Sequence, residues 1–247
     1  MFVGVSTKMY MGYAQSLAWL EQLVAEVESR PALMAGRVVP FVIPSFPVLS
    51  EAARLVNGTL LKLGAQNCGW ADGPWTGEVA PSMLAELGVG LVEIGHAERR
   101  RYFAEDEAMI ALKVRAAVDA GLTPLLCVGE ALAGEPEAAA ETVFLQIKAA
   151  VSGDWSVASR LVIAYEPVWA IGAPEPASAP YVSRVVAALR GSLLQHSLAG
   201  LPIIYGGSAK PGLLPQLDGV SGLFLGRFAH DAANFGRVLD EAIAGRG

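Results

Sequence analysis

Short apolar runs alternate along the chain with longer segments whose apolar residues recur every three or four positions. The runs are Phe2–Ser6, Val38–Ile43, Leu60–Gln66, Leu91–Gly95, Leu122–Gly129, Leu161–Glu166, Pro202–Gly207 and Gly222–Gly226. Each is short and rich in Val, Ile and Leu, as fits strands buried on both faces of a parallel sheet. Between them, Leu17, Leu20, Val24 and Val27 mark one helical stripe, and Met109, Leu112, Ala116 and Ala120 a second. Gly121 and Pro124 end the second. Tyr181, Val185, Leu189 and Leu193 form a third. Methionine and aromatic members of these stripes read as core packing.

Eight strand–helix units with no linker or low-complexity break predict a single (β/α)8 barrel over residues 1–247. A doubly wound open sheet is the weaker reading. Its Gly-rich dinucleotide turn is missing after the first strand, where Ser6-Thr7-Lys8-Met9-Tyr10 stands.

Composition narrows the partners. Apolar residues make up 53% of the 247-residue chain and charged ones 17%, enough for a large core. A net charge of −6 without a Lys/Arg stripe argues against nucleic acid. No run approaches the roughly 20 apolar residues of a membrane span, and no export signal is visible at the N-terminus. Cys68 and Cys127 lie in strand-like apolar runs and read as reduced core thiols, so a cytoplasmic location is expected.

In a barrel of this kind, chemistry sits at the C-terminal ends of the strands. Strand one ends in Ser6 and Lys8, strand four in Gly95-His96-Ala97-Glu98, and strand six in Glu166 before Pro167. Proline keeps its predecessor extended, which holds Glu166 at the strand end. The apolar segment after it, closed by Gly172 and Pro174, suggests a lid over a base. Strands seven and eight end in Gly206-Gly207-Ser208 and Gly226-Arg227, turns whose N–H groups can cradle a phosphate. A carboxylate base, an imidazole, a cation and a phosphate anchor suit proton transfer next to a carbonyl. No metal-ligand cluster is visible, so the cation is Lys8, and neither metal nor organic cofactor is expected. His196 and His230 have no supporting motif and read as surface or packing residues.

These motifs resemble the triosephosphate isomerase family from Lys8 to Gly226, in that family's order. Ala164-Tyr165-Glu166-Pro167-Val168-Trp169-Ala170-Ile171-Gly172 matches its base and closing loop, and Gly95-His96-Ala97-Glu98-Arg99-Arg100 resembles its electrophile motif. Ala65-Gln66-Asn67-Cys68, Thr76-Gly77-Glu78, Cys127-Val128-Gly129-Glu130 and Tyr205-Gly206-Gly207-Ser208 also fit. The resemblance implies Glu166 as general base and His96 as a neutral imidazole that polarises the carbonyl, a pattern for which this family is itself the worked example. It implies Lys8 as the cation, paired with Glu98, whose role is structural or catalytic. Gly172, Ser208 and Gly226 would contact phosphate, and the loop around Thr76 would enter a partner subunit of a homodimer.

The sequence departs from the family around the substrate. Ser6 replaces an asparagine, and a shorter side chain leaves more room or a water-mediated contact. Ala97 replaces a serine beside the histidine. The lid ends in Ala173-Pro174-Glu175-Pro176, which two prolines stiffen. Arg227 either strengthens anion binding or points away. The default expectation is therefore an aldose–ketose isomerase of glyceraldehyde 3-phosphate and dihydroxyacetone phosphate. The alternative is an isomerase of a four-carbon ketose phosphate of the erythrulose phosphate type, which the Ser6 and Arg227 pattern resembles more. A non-catalytic phosphosugar sensor is the minor reading. A lyase with a Schiff-base lysine is disfavoured, because neither Lys62 nor Lys113 is convincingly placed for one.

Overall fold

A computed structural model describes residues 1–245; Arg246 and Gly247, the end of the expected 1–247 barrel, lie outside the described residues. Eight parallel strands close into a barrel in sequence order. They are β1 (Phe2–Ser6), β2 (Val39–Ile43), β3 (Lys62–Ala65), β4 (Leu91–Ile94), β5 (Thr123–Val128), β6 (Val162–Tyr165), β7 (Ile203–Tyr205) and β8 (Gly222–Leu225). Every expected apolar run contains its strand. Closure is direct, with Phe2 to Val5 of β1 in register with Gly222 to Leu225 of β8. The architecture is the single (β/α)8 barrel.

Side chains alternate inward and outward along each strand. Phe41, Ile43, Leu91, Leu125, Cys127, Val162, Ala164, Ile204 and Phe224 fill the barrel interior. Phe41 stacks on Phe224 with ring centroids 5.7 Å apart. Gly4 makes this possible, since a Cβ there would fall 2.1 Å from the Phe41 ring. The opposite phase of each strand packs against the helices in a second, larger core.

The helices are α1 (Tyr13–Glu28), α2 (Leu49–Val56), α3 (Pro81–Glu86), α4 (Ala97–Phe103), α5 (Glu107–Asp119), α6 (Pro136–Ala150), α7 (Trp155–Ala158), α8 (Ala179–Leu194) and α9 (Ala232–Ala244). The stripe expected on α8 is its core face, with Val185, Leu189 and Leu193 buried. The stripe on α5 is one position off. Ile110, Lys113, Val114 and Ala117 are buried there, whereas Leu112 is 54% exposed. The physical reason is Lys113. Its ammonium reaches Asn67 Oδ1 at 2.9 Å and Glu105 Oε1 at 2.5 Å, so a charged residue occupies the core face.

The eight strand–helix units also need correction. Among the described residues, only a 3-10 turn, Leu214–Gln216, stands between β7 and β8. Pro211, Gly212 and Pro215 break that short connection, so no α-helix forms. No helix among the described residues is long and apolar enough to cross a membrane.

Candidate active site

The C-terminal rim encloses a cavity of about 750 Å³. Ser6, Lys8, His96, Glu98, Glu166, Gly172, Ser208, Gly226 and Arg227 all line it, so the tertiary structure brings every candidate together.

His96 stands two residues past β4 and caps α4. Its Nδ1 accepts the Glu98 backbone N–H at 3.1 Å. A ring accepting through Nδ1 carries its proton on Nε2 and is neutral. Burial, followed by the nearby Lys8 charge, lowers the His96 pKa to about 4. The imidazole therefore offers an Nε2–H to the cavity.

Glu166 follows β6, its N–H bonded to Val128 O at 2.8 Å. Its Oε2 faces His96 Nε2 at 3.5 Å, beyond an ordinary hydrogen bond, and has no hydrogen-bond partner. Burial, then the carboxylate of Glu93, pushes its pKa up to about 8, while Lys8 opposes the rise. Gly206 makes room for this carboxylate. A Cβ there would lie 2.4 Å from Glu166 Oε1, so only glycine lets the carboxylate take this position.

Lys8 has a left-handed backbone, φ 49°. It donates from Nζ to Glu98 Oε1 at 2.6 Å. Glu98 Oε2 lies 3.7 Å from His96 Nδ1, so one carboxylate stands beside both groups. Gln66 Nε2 donates to Lys8 O at 2.8 Å, tying the lysine turn to the end of β3.

The lid is held at both ends. Glu130 Oε1 accepts from Trp169 Nε1 at 2.8 Å, from the Tyr181 hydroxyl at 2.9 Å and from the Tyr165 hydroxyl at 3.3 Å. At the other end the Tyr205 hydroxyl accepts the Ala177 N–H at 3.0 Å. The Ser208 hydroxyl lies 3.0 Å from both Ala170 O and Ala173 O and has one proton to give. It thus engages the lid, while its neighbourhood borders the cavity. Gly172, at φ 73°, makes the lid's turn.

Arg227 lies on the cavity wall with its guanidinium carbon 5.6 Å from the Tyr10 ring centroid. His230 packs against Tyr10 with ring centroids 5.8 Å apart, and His196 stacks on Trp155 at 3.9 Å, so both are packing residues. Lys62 is exposed at the start of β3, and Lys113 is committed to its ion pair. Among the described residues, no group of three or more His, Cys, Asp or Glu could hold a metal ion.

Among the cavity residues that sequence reasoning missed are Lys210 and Glu93. Lys210 lines the cavity and pairs with Glu175 of the lid at 2.8 Å. Glu93 projects from β4 into the barrel and is buried. The signal for Glu93 was a carboxylate at an inward position of an otherwise apolar strand.

A general base facing a neutral imidazole, beside a lysine and under an anchored lid, can move a proton between two adjacent carbons and stabilise an enediolate. The model of the family described as triosephosphate isomerase matches residues 1–242. The chain belongs to the triosephosphate isomerase family. It is accordingly an isomerase of the intramolecular oxidoreductase class. Among curated relatives, the L-erythrulose-1-phosphate isomerase of Pectobacterium atrosepticum is 47% identical over 245 residues, covering 97% of this chain and 95% of its own. Proteins of the same name from Mesorhizobium japonicum (40% identical, covering 98% and 97%) and Brucella abortus (37%, covering 96% and 94%) are similar too.

Proposed function

We propose that the protein isomerises L-erythrulose 1-phosphate, or a closely similar four-carbon ketose phosphate, with Glu166 as the base. The observation that carries the reaction class is the facing of Glu166 Oε2 and His96 Nε2, 3.5 Å apart, in the cavity that Lys8 lines. The substrate reading is supported by the relatives, which favour the four-carbon alternative over the triose default.

The substrate's own chemistry sets the direction of reaction. In erythrulose 1-phosphate the C2 carbonyl lies between the phosphorylated C1 and the hydroxyl-bearing C3. C1 has no free hydroxyl, so the carbonyl can move only to C3. Glu166 takes the C3 proton, and the electron pair forms the C2–C3 double bond. His96 Nε2–H gives its proton to the C2 oxygen and recovers one from the C3 hydroxyl. Glu166 then delivers its proton to C2, leaving a ketone at C3. Numbered from the other end, the product is an erythrulose 4-phosphate, so the shift is ketose to ketose rather than aldose to ketose. Lys8 stabilises negative charge on the enediolate oxygens. Glu98 acts by holding Lys8.

The phosphate reading rests on the turns at Gly172, Ser208 and Gly226, with Arg227 as a further cation on the same wall. Lid closure over these turns excludes water from the enediolate. The loop carrying Thr76 is exposed, with Trp70 packed on Trp75 at 4.7 Å, which supports its reading as a homodimer contact. A cytoplasmic location fits the two buried free cysteines.

The test is a comparison of kcat/KM for L-erythrulose 1-phosphate with that for dihydroxyacetone phosphate. The tetrulose phosphate should be preferred; preference for the triose overturns the substrate. Glu166→Asp should lower turnover on the order of 10²–10⁴-fold, and an unchanged rate overturns the base.

A further inference from the structure

The proposed substrate differs from dihydroxyacetone phosphate by one hydroxymethyl group, C4, carried on the carbon that loses its proton. That carbon must sit against Glu166 and His96, with the phosphate on the far side of the carbonyl. C4 therefore has to occupy space immediately beside these two residues, away from the phosphate turns.

Two neighbouring polar side chains border that space, close enough that Ser6 holds the Glu93 pKa down. Glu93 stands on β4, three residues before His96, and Ser6 ends β1, two residues before Lys8. On β4 alternation puts Glu93 on the same inward face as Leu91, and Ser6, like Glu93, lines the cavity below the rim that carries His96 and Lys8. Both line the cavity, and both are buried, Ser6 with 5% and Glu93 with 4% of its surface exposed. Ser6 Oγ and Glu93 Oε2 make no hydrogen bond. A buried polar atom left unsatisfied is costly, so a carboxylate kept here for structure alone would be expected to have both oxygens bonded. The remaining neighbours in the barrel interior, among them Cys127, Ala164 and Phe224, are weak partners or none.

Resting on the reading of a four-carbon substrate, we propose that Ser6 and Glu93 form the subsite that binds the terminal hydroxymethyl group and makes the tetrulose phosphate preferred over the triose. The C4 hydroxyl has one proton to donate and lone pairs to accept. It satisfies Glu93 Oε2 as a donor and Ser6 Oγ–H as an acceptor at once. Serine in place of a longer side chain leaves the volume that the extra carbon fills. Burial and the neighbouring Glu98 carboxylate push the Glu93 pKa up to about 7, against Ser6 and Lys8, which oppose the rise. Either protonation state can bond a hydroxyl.

The test reads discrimination, not rate alone. L-Erythrulose 1-phosphate and its 4-deoxy analogue are compared in the wild type, in Glu93→Leu and Glu93→Gln, and in Ser6→Asn. A subsite built to bond a hydroxyl rejects an analogue that lacks it. The wild type should prefer the hydroxylated substrate on the order of 10²-fold, and Glu93→Leu should reduce that preference at least tenfold. Ser6→Asn, on β1, should lower kcat/KM for the tetrulose phosphate more than for dihydroxyacetone phosphate, and it carries the test if Glu93→Leu fails to fold. An unchanged preference in the folded variants, with the wild type turning over the tetrulose phosphate, overturns this subsite alone. A wild type inactive on the tetrulose phosphate overturns the proposed substrate and the subsite with it.

Discussion

Glu166 Oε2 stands 3.5 Å from His96 Nε2 with no hydrogen bond of its own. The two groups are pushed in opposite directions by the same burial: the carboxyl up to about 8 and the imidazole down to about 4. With Glu166 as the proposed base, activity requires the ionised carboxylate. As pH falls through 8 in the free protein, the base is protonated and kcat/KM should drop about tenfold per pH unit. His96 stays neutral down to about 4 and adds no limb above that. A profile of kcat/KM from about pH 6 to pH 9 checks this; a flat profile over that range contradicts the raised Glu166 value.

Glu93 is the second-largest cause of the Glu166 rise. Glu93→Gln removes a negative charge near the base, so the acid limb of kcat/KM should move to lower pH. Stability should respond as well. The folded Glu93 value, about 7, lies above its ordinary 4.5. The stabilising contribution is therefore fully present below about 4.5 and lost as pH rises through 7. The melting temperature of Glu93→Gln relative to wild type should climb between those pH values, which thermal melts at both ends will measure.

Glu98 is shared between Lys8 at 2.6 Å and the neighbourhood of His96 Nδ1 at 3.7 Å. His96 Nδ1 is already occupied by the Glu98 backbone N–H, so the carboxylate acts through the lysine. Glu98→Gln should raise KM by about tenfold and change kcat by less, as expected for loss of ground-state and transition-state binding together. A fall in kcat with unchanged KM would place Glu98 in the proton transfer instead.

The Tyr205 hydroxyl holds the lid at Ala177 N. Tyr205→Phe removes that acceptor and leaves the rest of the side chain in the core. Loss of one such bond is worth about 0.5–1.5 kcal/mol, so kcat/KM should fall roughly 2- to 12-fold, with little change in melting temperature if the lid alone is affected. Steady-state kinetics and a melt of the same sample separate the two effects.

Lys113 and Glu105 form a buried pair, with 1% and 2% of their side chains exposed. Arg99, on α4 behind His96, binds the same Glu105 oxygen at 2.6 Å. Lys113→Met leaves Glu105 with Arg99 alone and Asn67 without its donor. The expected destabilisation is on the order of 3 kcal/mol, read by denaturant unfolding.

The barrel and its rim were legible because they follow local rules. Apolar runs such as Leu161–Glu166 end where Pro167 forces the chain to stay extended, and β6 ends at Tyr165. His96 and Lys8 stand immediately beyond strands whose boundaries the apolar pattern marks. The α5 stripe was misread because an amphipathic pattern does not anticipate a lysine neutralised by Glu105 and Asn67 from other elements. The repeat predicts a helix between β7 and β8, which Pro211, Gly212 and Pro215 forbid locally.

Sequence alone determined the strand positions, three of the helices, the closed barrel, the family, and Glu166, His96 and Lys8 as candidates. Those are properties of periodicity, backbone restriction and motif order. Only the tertiary structure decided that Glu93 enters the cavity, that Gly206 is there to clear space for Glu166, and that Ser208 engages the lid. Each depends on which side chains from distant strands share one low-dielectric space. Desolvation and charge coupling across that space set the protonation of Glu166 and Glu93, and neither is a property of any single stretch of chain.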